Sequence, residues 1–153
     1  MHDLLASYGY PGLFLLSFLA ATLIPLGSEW LVVAMLLDRH NPYLTVMVAT
    51  AGNFLGACTT YLIGAYGGPW LTEKLLRIDA AARERAEGFY SRYGAWSLLF
   101  SWLPVIGDPI CLVGGILQVG FRRFSLLVAA GKLARYALVA WLTLKGSGVL
   151  AEG

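Results

Sequence analysis

Leu13-Phe14-Leu15-Leu16-Ser17-Phe18-Leu19-Ala20-Ala21-Thr22-Leu23-Ile24-Pro25-Leu26-Gly27-Ser28-Glu29-Trp30-Leu31-Val32-Val33-Ala34-Met35-Leu36-Leu37 is the stretch that decides the fold of this chain. It is long enough to cross a bilayer, which takes about 20 apolar residues. Yet Pro25 and Glu29 interrupt it where a span should be smoothest, because proline breaks the helix ladder and a carboxylate in hydrocarbon costs several kcal/mol.

Three more apolar stretches follow. Tyr43 to Tyr66 carries no charge and is studded with small residues; Gly52-x-x-x-Gly56, with Ala57 and Gly64 beyond, permits close helix approach in lipid. Trp96 to Val119 is interrupted by Pro104, Gly107, Asp108 and Pro109, through which no straight helix passes easily. Phe124 to Leu144 is smooth except for Lys132 and Arg135, three apart and so on neighbouring positions of one helical face.

Across all 153 residues the hydrophobic fraction is 58% and the charged fraction 13%, against roughly 25% charged in soluble domains. Too few charges remain to cover a water-facing surface, so the chain reads as one all-α membrane domain over 1–153. The net charge of +2, without basic residues interleaved with stacking aromatics, gives no nucleic-acid groove. Cys58 and Cys111 lie inside apolar runs and read as small buried hydrophobes, so neither a disulfide framework nor a zinc site is expected. His2 and His40 lack companion ligands and read as surface histidines; no metal or other cofactor is expected. His2 and Asp3 give no positive n-region, so an inserted, uncleaved N-terminus is the better reading than a signal peptide.

Residues 69–92 form the long polar segment. Leu71, Leu75, Ile78, Ala82, Ala86, Phe89 and Tyr93 recur at steps of three or four, one apolar stripe on a helix. Pro69 suits its first turn, Glu73 with Arg77 and Asp79 with Arg83 are i,i+4 pairs, and Trp70 is placed to anchor at the interface. A basic amphipathic helix in the headgroup plane is the expectation; the bland alternative is a solvated connector.

The halves 8–66 and 93–145 share a short pattern. Tyr8-Gly9 precedes the first stretch and Tyr93-Gly94 the third; Pro25-Leu26-Gly27-Ser28-Glu29 matches Pro104-Val105-Ile106-Gly107-Asp108. Gly52-Asn53 with Gly56 matches Gly131-Lys132 with Arg135. Arms of about 12 residues reach roughly 18 Å, short of a 30 Å core, so each broken stretch reads as a re-entrant hairpin turning at Pro25 and Gly27, or at Pro104, Gly107 and Pro109. Irregular backbone at that depth must face protein or a watery cavity, so the two tips are expected to meet. A hairpin plus one span makes the halves inverted repeats. Counting Lys and Arg outside the spans gives seven on the linker side against two, or six against three if all four stretches cross. Either way the linker is expected in the cytoplasm.

Glu29, Asp108, Lys132 and Arg135 are the intramembrane charges. They read either as structural salt bridges or as a hydrated site where carboxylates bind protons and cations hold an anionic headgroup. No histidine lies at the depth of Ser28 or Ser101 to activate a nucleophile, and no phosphate loop is present, so an enzyme is not expected.

At Gly52-x-x-x-Gly56-x-x-x-x-Tyr61-x-x-Gly64 followed by Gly67-Gly68, at Pro25 to Glu29, and at Tyr93-Gly94, Pro104 and Gly114-Gly115, the chain resembles the DedA family of bacterial inner-membrane proteins. That family is related to the SNARE-associated Golgi or VTT-domain proteins, and the likeness is greatest to its short YqaA-type members. The resemblance covers roughly Tyr8 to Lys145. Where larger members carry a Glu before the first turn this chain has Ala20, and where they carry Arg-x-x-Pro-x-x-Arg it has Ser101, Pro104 and Gly107. The resemblance implies a multi-pass protein of the bacterial inner membrane, related to lipid translocation (phospholipids or undecaprenyl phosphate), proton-motive force and envelope integrity. Its expected partners are membrane lipids and protons, with homo-oligomers left open. A non-transporting scaffold or assembly factor, in which Gly52 and Gly56 pack on a partner helix, and a small ion channel are the rival readings.

Overall fold

The computed structural model describes residues 2–22, 28–67, 80–103 and 107–151. These are helical, with no strand among the described residues. Helix α1 is His2–Ala20, α2 Glu29–Leu37, α3 Pro42–Tyr66 and α4 Ala80–Tyr93; a tighter 3-10 segment, Gly94–Trp102, leads to α5, Gly107–Ile116, and α6, Phe121–Ala151. Pro25, Gly27 and Pro104, three of the expected turn residues, lie outside the described residues, as do Trp70, Glu73, Arg77 and Asp79.

Among the described residues two helices are long and apolar enough to cross a membrane, Pro42–Tyr66 and Phe121–Gly148 within α6. At 1.5 Å per residue the 25 residues of α3 reach about 37 Å, while α2 with 9 and α5 with 10 reach only about 15 Å. The ends are set locally. Asn41 accepts the Leu44 N–H at 3.2 Å while Pro42 occupies the first turn of α3, where a missing N–H is harmless. Both short helices stop with the same 6→1 cap: His40 N–H donates to Met35 O and Val119 N–H to Gly114 O, each at 3.0 Å. The left-handed residues in these caps are Arg39 at φ 62° and Gln118 at φ 51°.

Helix α3 packs on α1 and α5; α6 packs on the 3-10 segment and α2; and α3 and α6 meet each other. One apolar core joins Ala57 and Tyr61 of α3 to Phe124 and Val128 of α6, and a second joins Val46 and Ala49 to Tyr136 and Ala140. The early part of α3 therefore meets the late part of α6, so the two run antiparallel. Lipid tails are as apolar as leucine, so burial alone does not drive these contacts; close packing does. A Cβ on Gly52 would collide with Phe14 O, on Gly56 with Phe18 O at 2.6 Å, on Gly64 with Leu112 O and on Gly115 with Tyr61 O. Gly52 and Gly56 thus admit α1 of the same chain, and Gly64 with Gly115 bring α3 and α5 into backbone contact.

Several expectations need correction. The apolar run that begins at Leu13 belongs to a longer helix than the sequence pattern marks. Helix α1 runs continuously through Tyr8, Gly9 and Pro11 for 19 residues, about 28 Å, and α6 continues to Ala151, well past Leu144. In α4 the buried positions are Ala86 and Tyr90, while Tyr93 is exposed, because the helix docks on α5 and its inward face is chosen by that contact. Arg83, whose expected partner Asp79 lies outside the described residues, pairs with exposed Glu87 at 3.0 Å, an i,i+4 pair. His40 is half-buried, edge-on to Tyr10 at 5.6 Å and 3.6 Å from Asp38, and so is not a free surface residue.

Candidate functional site

Between the two apolar cores lies a polar layer, built from the ends of the short helices and the middle of the long ones. Glu29 is the first residue of α2 and Asp108 the second of α5, so each carboxylate sits in a first helical turn, where the helix dipole favours negative charge. Both face the same stretch of α6. The Arg135 guanidinium contacts the Glu29 carboxylate directly, and Lys132 Nζ is 3.8 Å from Asp108 Oδ1. One helix thereby holds a cation against a carboxylate from each broken segment. Beside them Ser28 Oγ and the hydroxyl of fully buried Tyr136 share a 2.5 Å hydrogen bond, and the Arg135 guanidinium lies 5.8 Å from the Tyr136 ring centroid.

Helix α1 ends at Ala20, and a buried helix end needs partners for its last carbonyls. The end tightens, with Ala21 N–H turning to Phe18 O at 3.2 Å, which frees Ser17 O. Asn53 Nδ2 then donates to Ser17 O at 3.0 Å and Thr60 Oγ1 to Ala21 O at 3.1 Å. Polar side chains of α3 thus complete α1. Asn53 Oδ1, Ser17 Oγ, Thr50 Oγ1 and Ser101 Oγ remain buried without a hydrogen-bond partner among the described residues.

The other expected residues fall around this layer. Gly107 and Pro109 are buried in the first turn of α5, where proline is tolerated, and Gly107 N–H donates to Leu103 O at 2.9 Å to close the turn. A Cβ on Gly107 would strike Ser101 O. Gly131, in α6 beside Lys132, lies against Leu99 O and Ser101 Oγ. Tyr61 is away from the charges; its hydroxyl donates to Val119 O at 2.5 Å and its ring packs 4.4 Å from Phe124. Cys111 is buried and Cys58 half-buried, both as free thiols. No three His, Cys, Asp or Glu side chains converge on a metal position among the described residues. Tyr136 escaped the sequence reading, although a tyrosine one turn beyond Lys132 in an apolar span is a polar tip that needs a partner.

A family model described as VTT domain matches residues 24–144. The chain is 40% identical over 135 residues to the inner membrane protein YqaA of Escherichia coli (strain K12), which covers 88% of this chain and 90% of that protein. An uncharacterized Haemophilus influenzae protein is 36% identical over 139 residues, with 86% and 85% covered. A Methanocaldococcus jannaschii protein, also uncharacterized, is 26% identical over 138 residues, with 90% and 85% covered. No solved structure matches the chain.

Proposed function

This chain belongs to the VTT-domain family, and from that premise we propose that it is a DedA-like inner-membrane transporter or scramblase. It moves an anionic lipid, a phospholipid or undecaprenyl phosphate, in support of the cell envelope, without converting it chemically. The observation that carries this reading is the pairing of both carboxylates, Glu29 and Asp108, with the two cations of α6. A headgroup phosphate and these carboxylates compete for the same Lys132 and Arg135. Protonation of a carboxylate releases its cation to the phosphate, and return of the carboxylate expels the lipid, which couples movement to protons. The orphaned Asn53, Ser17 and Ser101 groups offer polar contacts along the way.

Inverted repeats supply the second half of the argument. Pro25, Glu29, Gly52, Asn53 and Gly56 correspond to Pro104, Asp108, Gly131, Lys132 and Arg135 at one constant offset in numbering. The two caps at Arg39 and Gln118 share that offset, and α3 and α6 run antiparallel. Short helices of about 15 Å suit re-entrant segments that reach only half of a 30 Å core. Where larger family members carry the first arginine of their motif this chain has Ser101, which lies against Gly131; Lys132 supplies the cation from the neighbouring helix.

Translocation of labelled phospholipid and polyprenyl phosphate in proteoliposomes tests this reading, with wild type beside Glu29→Gln and Asp108→Asn proteins reconstituted to equal density. Movement by wild type that either substitution abolishes is the expected result. No movement of either lipid by folded wild type overturns it. That outcome favours a scaffold, for which the observation is that each intramembrane charge already has an opposite partner.

A further inference from the structure

Helix α4 carries two arginines that the mid-membrane layer does not use. Arg85, Gly88 and Arg92 follow one another at i, i+3 and i+7, which places them on one face with the glycine between the two cations. A cavity of about 270 Å³ opens there, lined by Arg85, Gly88, Phe89, Arg92 and Tyr93. Gly88 is unlike the packing glycines of α3 and α5. A Cβ on it would meet nothing within 4 Å, so no close approach explains why a helix-weakening residue sits mid-helix. Its effect is to leave an open floor between two guanidiniums.

Among the described residues no carboxylate pairs with either guanidinium. Arg85 Nε donates to Ala81 O at 3.3 Å, and Arg92 rests 5.7 Å from the Tyr93 ring centroid, whereas Glu87 is engaged by Arg83. Two guanidiniums on one helix face suit the oxygens of a phosphate, which arginine binds in bidentate fashion. The surroundings select the source. Exposed Tyr93 and Trp96 follow at the end of α4 and the start of the next segment, the aromatic types that sit at headgroup level, and Phe89 and Tyr93 give the cavity an apolar wall. We propose that the Arg85–Gly88–Arg92 groove binds the phosphate of an anionic lipid headgroup at the membrane surface, separately from the ion pairs of α6.

The test uses full-length protein in nanodiscs of mixed phosphatidylglycerol and phosphatidylcholine, extracted gently and counted for retained lipid by native mass spectrometry. Wild type is expected to retain phosphatidylglycerol in preference to phosphatidylcholine. Gly88→Leu, which fills the groove without touching a charge and favours the helix, should lose that preference by tenfold or more. The Arg85→Gln/Arg92→Gln protein should do the same. Arg122→Gln/Arg123→Gln, which removes two exposed cations outside the groove, should keep it. Equal retention by the Gly88→Leu and wild-type proteins overturns the site. If millimolar inorganic phosphate at constant ionic strength binds wild type but not Gly88→Leu and no lipid is selected, the groove serves a soluble phosphate compound and the lipid assignment is overturned. Because these readouts need no translocation, they stand or fall apart from the transport reading.

Discussion

Replacing Lys132 by Met and Asp108 by Asn, singly and together, tests whether the central layer is held by coupled charges. Lys132 Nζ stands 3.8 Å from Asp108 Oδ1, too far for a hydrogen bond, so the attraction is coulombic. At that separation, an effective dielectric near 20 gives about 4 kcal/mol. The lysine side chain is 1% exposed and the aspartate 29%, so the cation is held in the interior beside a partly buried carboxylate. Each single substitution leaves an uncompensated charge in the interior and is expected to cost about 3–5 kcal/mol, whereas removing both charges costs less than either alone. The cycle should therefore show a coupling of about 4 kcal/mol. Unfolding in mixed micelles with rising SDS, followed by the fluorescence of the five tryptophans, measures all four proteins. Costs that add to within about 0.5 kcal/mol would refute the argument, since independent sites behave that way.

Two further outcomes follow from the same contacts. Gly115→Ala drives a methyl into Tyr61 O, a backbone atom that cannot rotate away, and should cost about 1–3 kcal/mol by pushing α3 from α5. Gly12→Ala, with nothing within 4 Å, should change the same unfolding midpoint little. Tyr136→Phe removes the 2.5 Å bond to Ser28 and should cost about 1–2 kcal/mol, and Ser28→Ala should add almost nothing on top of it; full additivity would mean that the two hydroxyls do not depend on each other.

What the sequence by itself determined was everything that lipid dictates locally. A bilayer sorts residues by polarity and length, so the helical class, the stretches that became α3 and α6, and the singling out of Glu29, Asp108, Lys132 and Arg135 follow from runs of apolar residues and their interruptions. Membership of the family was legible for a related reason: of the residues that carry it, Gly52, Gly56, Gly64 and Gly115 sit where backbones touch. Tertiary structure alone decided the pairings. Two carboxylates and two cations can be matched in two ways, and a spacing of three on one helix favours neither; the placement of α2 and α5 against α6 gives Glu29 to Arg135 and Asp108 to Lys132. A glycine pair announces a close approach without naming its partner, so the fit of Gly52 and Gly56 to α1, and of Gly64 to Gly115, appears only in three dimensions. The same holds for α4, where Tyr90 rather than Tyr93 turns inward because α5 lies on that side, and for Tyr136, whose partner Ser28 is 108 residues away in the chain. Contacts between residues so distant in sequence depend on the path of every helix between them, and no local pattern encodes that path.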